Sequence, residues 1–252
     1  MGIRQQLKAE QRRNAVFIAN FERLLKPLRR KAIQVVLDNM TGSYETLADN
    51  AASLVDEYYL PDFYNKLYTG VGGYWARRQY NNLLGLKADI NDAIWNQELQ
   101  QWVSANTGKL IVSVEGTLKK WVQKTVQDYV EIAIEEGLGL EELTQRAKGI
   151  LKSSYTGYET WKVRQIVSQE VLSAYSVSNK IGADASGLDY TKQWIHSGSG
   201  QPHKNHVPLN GVTIGKTERF QVGAYTALYP RDTSLGAEES VNCLCAVSYR
   251  AK

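Results

Sequence analysis

Two short motifs near the carboxy terminus hold the side chains richest in chemistry: His203-Lys204-Asn205-His206 and Cys243-Leu244-Cys245. Two imidazoles and two thiols form a ligand set that tetrahedral zinc takes in structural sites, where four protein ligands close the coordination sphere. His203, His206, Cys243 and Cys245 would together pin a region with little core of its own. A second reading of the same residues needs no metal: His206 hydrogen-bonds its turn, and the cysteines pack as small apolar groups. A bond between Cys243 and Cys245 is disfavoured, because side chains two apart in an extended strand sit at a poor separation for it. With only these two cysteines in 252 residues there is no disulfide framework, and a reducing intracellular origin is expected.

The motifs of common enzymes are missing from the chain. It has no HExxH, no GxSxG elbow, no phosphate-loop lysine and no CxxC pair. Glu170, with His203 and His206, could imitate a metal-hydrolase centre, but a single glutamate on an amphipathic helix is ordinarily an ion-pair partner. The expectation is a protein that is not an enzyme, with a zinc-dependent hydrolase as one alternative.

Charge supplies another. Residues 1–31 carry nine basic side chains against Glu10 and Glu22, a local charge of +7 in a chain whose net charge is +4. Arg4, Lys8, Arg12, Arg13, Arg29, Arg30 and Lys31 are candidate nucleic-acid contacts, since counterion release favours binding to a polyanion. The other reading is a solvated helix face. Tyr58, Tyr59, Phe63, Tyr64, Tyr68, Tyr74, Trp75 and Tyr80 could stack on bases, although at helical spacing core packing is the better expectation. No run approaches the length of a membrane span, and the polar, basic start does not read as a secretory signal.

These groups must be positioned by a largely helical chain. Ile3, Leu7, Phe17, Phe21, Leu24 and Leu28 form a helical stripe, with Glu10 and Asn14 in the intervening slots and Pro27 expected to end or bend it. Further helices are expected around 33–39, 44–59, 61–68 and 73–84, with a turn at Gly70, Gly72 and Gly73. One or two more should cover 102–134, where Leu110, Val114, Leu118 and Trp121 recur. A short helix over 140–147, a loop over 153–158 and a helix from 159 to 182 follow. After Gly187 the periodicity changes: short strands are expected at 190–195, 211–214, 219–222 and 245–249, with turn residues through 197–202 and Gly211 at an angle other residues resist.

Several of these motifs also follow a known order. Glu136-Gly137 precedes Leu140-Glu141-Glu142-Leu143; then come Ile166 to Glu170, Trp194, His206-Val207-Pro208-Leu209-Asn210-Gly211, Pro230-Arg231-Asp232 and Asn242-Cys243-Leu244-Cys245. This resembles the phage head morphogenesis family typified by Mu protein F. Its members share an EG turn, an I-A-R-T-E helix, a tryptophan before R-x-x-H-x-x-L-x-G, a P-x-D loop and N-C-R-C. The resemblance covers about 60% of the chain, residues 102–252. Ser168-Gln169 stands where the family has Arg-Thr, His203 where it has arginine, and Leu244 where it has the arginine between the cysteines.

The expected fold is mainly α: an elongated helical body followed by a small α+β carboxy-terminal domain. Three regions are expected: a basic, aromatic-rich helical part over 1–101, a helical part of the head morphogenesis domain over 102–187, and an α+β module over 188–252. The resemblance implies a bacteriophage minor head protein acting in head assembly, DNA packaging or ejection. Its implied partners are the portal protein, the major capsid protein and phage genomic DNA, with no membrane. Its implied place is inside the virion near the portal vertex, after synthesis in the host cytoplasm.

Overall fold

A helix forms where one stripe of residues can be buried every three or four positions, and the first 40 residues offer such a stripe. The computed structural model describes residues 3–56, 58–86, 93–196 and 204–252, with side chains for all of these except 3–4, 93–94 and 107–116. Helix α1 spans Ile3–Asn39, and its buried line runs through Glu10, Asn14, Phe21, Leu25, Ala32, Val36 and Met40. The expected stripe drifts here: Leu25 is fully buried and Leu24 is 49% exposed. Nor does Pro27 end the helix. It lies on the exposed side inside α1 while Leu25 and Arg29 are buried around it. Burial on both sides outweighs a penalty of about 3 kcal/mol for an interior proline.

Four more helices follow: α2 (Leu47–Ser53), α3 (Leu60–Leu84), α4 (Ala93–Glu135) and α5 (Leu140–Ala185). Several expected breaks are absent. Gly70, Gly72 and Gly73 lie inside α3 rather than in a turn, and 153–158 lies inside α5 rather than in a loop. In α5, Leu143, Ala147, Leu151, Tyr155 and Glu159 keep a buried line at four-residue spacing. The hydroxyls of Ser153 and Ser154 donate to the Ile150 carbonyl, a local bond that a helix accommodates. The Glu-Gly turn between α4 and α5 does behave as a stop, with Gly137 at φ +70°.

The chain divides into two compact units, each assembled from separated stretches: residues 1–21, 65–105 and 167–252 form one, and 22–64 and 106–166 the other. In the second unit, Arg29 and Glu159 make a buried ion pair at 3.1 Å, and Trp121 stacks on Tyr158 with centroids 4.4 Å apart.

In the first unit, two buried polar pairs join the helices. Trp75 Nε1 donates to Asn14 Oδ1 at 2.9 Å, and the Tyr175 hydroxyl donates to Glu10 Oε2 at 2.6 Å. These bonds explain how Glu10 and Asn14 occupy slots of an apolar stripe. Glycine permits close helix approach nearby: a Cβ on Gly72 would lie 2.6 Å from Leu99 Cδ2, and one on Gly182 would lie 2.2 Å from the Ala76 carbonyl oxygen.

The carboxy-terminal part of this unit is a small α+β module, and the protein as a whole is mainly α. Strands β1 (Tyr190–Ile195), β2 (Thr213–Gly215) and β5 (Ala246–Ala251) form an antiparallel sheet in the order β2-β1-β5, with Trp194 opposite Val247. A second hairpin pairs β3 (Phe220–Val222) with β4 (Tyr225–Ala227), and the short helix α6 spans Ala237–Ser240. Period-two alternation buries Tyr190, Lys192 and Trp194 on one face of β1. Trp194, Leu209, Phe220, Val222, Ala227, Leu235, Cys243 and Cys245 form the module's core. Gly211, at φ +85°, donates its amide to the Trp194 carbonyl, as the turn before β2 requires.

Two glycines of α5 should respond oppositely to alanine. Gly182→Ala should lower stability by about 1 to 3 kcal/mol, because the new methyl meets backbone rather than a movable side chain. Gly149→Ala, exposed with nothing near its Cβ position, should raise stability by about 0.5 to 1 kcal/mol. Urea denaturation of both variants checks this, and equal effects would contradict the close approach at Gly182.

Candidate metal centre

The carboxy-terminal module brings three of the four expected ligands to one place. His206 closes a 3-10 turn over Lys204–His206, and its side chain is fully buried. Cys243 and Cys245 lead into β5 and are both buried, while Leu244 between them is exposed. Asn242, at φ +59°, turns the chain into this run. His203 lies outside the described residues.

His206 Nδ1 is 3.5 Å from Cys243 Sγ and 3.6 Å from Cys245 Sγ. The three ligand atoms lie within 4.8 Å of one another. Zinc bonds of about 2.3 Å to sulfur and 2.0 to 2.1 Å to nitrogen, at tetrahedral angles, separate the two atoms by about 3.6 Å. The nitrogen-to-sulfur distances therefore fit one metal ion bound between the three atoms. These residues form a possible metal-binding group, and their chemistry suits a borderline-soft divalent ion.

The surroundings favour the thiolate at Cys243. Cys243 is held far below the ordinary thiol range, first by a hydrogen bond from Cys245, then by His206 and by the Arg231 guanidinium, against the opposing effect of burial. Thiolate is the form that binds metal. Arg231 is buried at φ +63° and donates to the carbonyls of Cys243 and Cys245 (3.0 Å to the latter) and to Ser176 Oγ of α5 at 2.7 Å. Trp194 covers the imidazole edge-on, with centroids 5.3 Å apart. Glu239 Oε2 lies 3.1 Å from His206 Nε2.

The sequence carries little sign of these supporting residues. Glu239 sits in the one-turn helix α6, and its partner Asn205 lies 34 residues earlier, with no periodic pattern linking them. Arg231 reads as the variable middle of a P-x-D loop. Lys192 is different, because strand alternation alone places it on the buried face of β1. Its ammonium lies 5.7 Å from the Phe220 ring centroid, and burial pushes its pKa down to about 8.

The other candidates fall elsewhere. Glu170 is buried in α5 and accepts a hydrogen bond from the Tyr68 hydroxyl at 2.8 Å, rather than forming the expected ion pair. It is not part of the His206–Cys243–Cys245 group. Arg29 must be removed from the candidate nucleic-acid contacts, since it is fully buried against Glu159. Lys8, Arg12, Arg13, Arg30 and Lys31 are exposed on α1, and the Arg4 side chain lies outside the described residues. Of the aromatic residues, Tyr59, Phe63, Tyr64, Tyr68 and Trp75 are buried, whereas Tyr58 is 65% exposed. No helix among the described residues is long and apolar enough to cross a membrane.

The chain is similar to the uncharacterized protein YqbB of Bacillus subtilis (strain 168), with 28% identity over 158 residues. The match takes in 61% of this chain and 45% of YqbB, so the chain spans just under half the length of that relative. No family model matches the chain. No solved structure matches it.

Burial raises the Glu170 pKa to about 7 from an ordinary 4.5, against the lowering effect of the Tyr68 hydrogen bond. The folded chain therefore keeps this proton longer than the unfolded chain. Stability from this group is full below about pH 4.5 and is lost as pH rises through about 7, by about 3 kcal/mol in all. Glu170→Gln should match the parent near pH 4.5 and exceed it by about 2 to 3 kcal/mol at pH 8. Urea denaturation of both proteins across this range checks the difference, and a gap that stays constant with pH would contradict it.

Proposed function

We propose that the chain is a bacteriophage minor head protein whose carboxy-terminal module is fastened by a structural zinc ion at His206, Cys243 and Cys245, with His203, which lies outside the described residues, as the fourth ligand expected from the sequence. The observation that carries this reading is the meeting of the resemblance's own motifs. The histidine of the H-x-x-L-x-G turn and both cysteines of the N-C-x-C run converge on a point with distances that suit zinc. The P-x-D arginine grips the carbonyls of both cysteines. Three of the motifs that share an order in the sequence thus share a place in the fold.

The site's burial supports a structural role for the metal. His206, Cys243 and Cys245 are 0%, 1% and 3% exposed, which leaves no approach for a substrate, and the reading is accordingly of a protein that is not an enzyme. The module would serve as a rigid recognition element for the portal protein or major capsid protein. Lys8, Arg12, Arg13, Arg30 and Lys31, exposed along α1, favour packaged genomic DNA as a further partner. The place of action is the inside of the capsid near the portal vertex, and no membrane enters the reading.

The metal half of the proposal predicts close to one zinc per chain by elemental analysis. Chelation, or the paired change Cys243→Ser with Cys245→Ser, should lower the thermal midpoint and loosen the module before the helices melt. A stabilisation of about 4 kcal/mol is expected when free metal exceeds its dissociation constant a thousandfold. Protein without zinc, and with a chelator-insensitive midpoint, would leave the hydrogen-bonded alternative.

The head-protein half is tested in particles. Mass spectrometry of purified virions should find the chain at low copy number, and deleting its gene should reduce infectious particles. Virions that lack the chain, formed at normal yield and infectivity, would overturn it.

A further inference from the structure

The carboxylate beside His206 has a more specific task than filling space. Glu239 is 6% exposed, and both of its oxygens are engaged: Oε2 at 3.1 Å from His206 Nε2, and Oε1 with Asn205 Nδ2. The imidazole thus has one nitrogen facing two sulfurs and the other facing a carboxylate. Nε2 can meet the carboxylate favourably only by carrying a proton, so in the neutral imidazole, the form that ligates a metal, the lone pair sits on Nδ1 and faces Cys243 and Cys245. Gly223 makes room for this arrangement. At φ +57°, a Cβ there would lie 2.5 Å from Asn205 Nδ2 and 3.3 Å from Glu239 Oε1.

We infer that Glu239, held by Asn205 across Gly223, is the positioning residue of the metal centre: it fixes the His206 tautomer so that Nδ1 is the ligand atom. The inference rests on the zinc reading above and deepens it. A carboxylate that receives the second N–H of a ligating imidazole orients the ring and raises its basicity, and losing such a partner typically weakens metal binding about 10- to 100-fold. Glu239 belongs to a segment without ligands of its own, so its effect on affinity would act wholly through His206.

The test uses the full-length chain with zinc alone, its affinity read by competition with a chromogenic chelator, and ¹⁵N-labelled histidine followed by NMR. In the zinc-loaded parent, His206 should show a metal-bound Nδ1 and a protonated Nε2. Glu239→Ala should weaken zinc about 10- to 100-fold while a cobalt-substituted sample keeps its two-thiolate charge-transfer bands. Glu239→Gln, which can still accept the Nε2 proton, should lose less and keep the tautomer, and it serves as the variant least apt to disturb the fold. A zinc-binding parent that coordinates through Nε2, or a Glu239→Ala chain with parental affinity, would overturn this inference and leave the zinc reading standing. A parent that takes up no zinc would overturn both.

Discussion

The carboxy-terminal module depends on the convergence of one imidazole nitrogen and two sulfurs contributed by separate segments: the 3-10 turn ending at His206 and the run entering β5. Around that point the chain is short of other means of holding itself. The paired strands β2, β3 and β4 are three residues each, and α6 is four. Elements so short contribute few ladder bonds and a narrow apolar face. The core that does form is centred on Trp194, which touches both the His206 ring and Phe220 edge-on. The candidate metal-binding group and the hydrophobic core are therefore one structure.

Charge balance follows from the same geometry. Under the zinc reading, a divalent ion faces two thiolates and a neutral imidazole whose outer proton points at the Glu239 carboxylate, which leaves one excess negative charge in a dry region. Arg231 supplies the compensating positive charge. Its guanidinium donates to the carbonyls of Cys243 and Cys245 rather than to the sulfurs, so it offsets the charge without competing for the ligands. A buried arginine in the left-handed backbone region is unfavourable in isolation. Three hydrogen bonds, one of them to Ser176 on α5, make that conformation tolerable and tie the cysteine segment to the helix.

How much of this was legible in the sequence varied with the range of the forces involved. Strand β1 was readable to the residue, because alternation over Tyr190–Ile195 is a local pattern and its antiparallel partners preserve it. Helix ends were much less readable. Pro27, the glycines at 70–73 and the Ser/Thr/Gly run at 153–158 are all local breakers. Each lies within a helix whose buried line continues through it, a tertiary gain that no local window contains. The candidate ligands His206, Cys243 and Cys245 stood out by residue type. Glu239 and Arg231 did not, because an acid in a short polar turn and a basic residue in a loop have nothing local to mark them as buried.

Burial also decides which charges can do work at a distance. From sequence, Arg29, Arg30 and Lys31 form one basic cluster. In the fold, Arg29 points into the unit formed by 22–64 and 106–166 and meets Glu159, while its two neighbours remain in solvent. Removing either member of that pair would strand a buried charge, which is far more damaging than the pair is stabilising, so such residues fix an arrangement more than they strengthen it. Glu10 with Tyr175, Asn14 with Trp75 and Glu170 with Tyr68 follow the same logic in the other unit. Each sets a buried polar group of one helix against a partner on another, and a helix turned by a single residue would break the pair. Long helices with weakly amphipathic sequences gain from such pairs a register that apolar packing alone specifies poorly. The buried His206–Cys243–Cys245 group applies the same constraint to the strands.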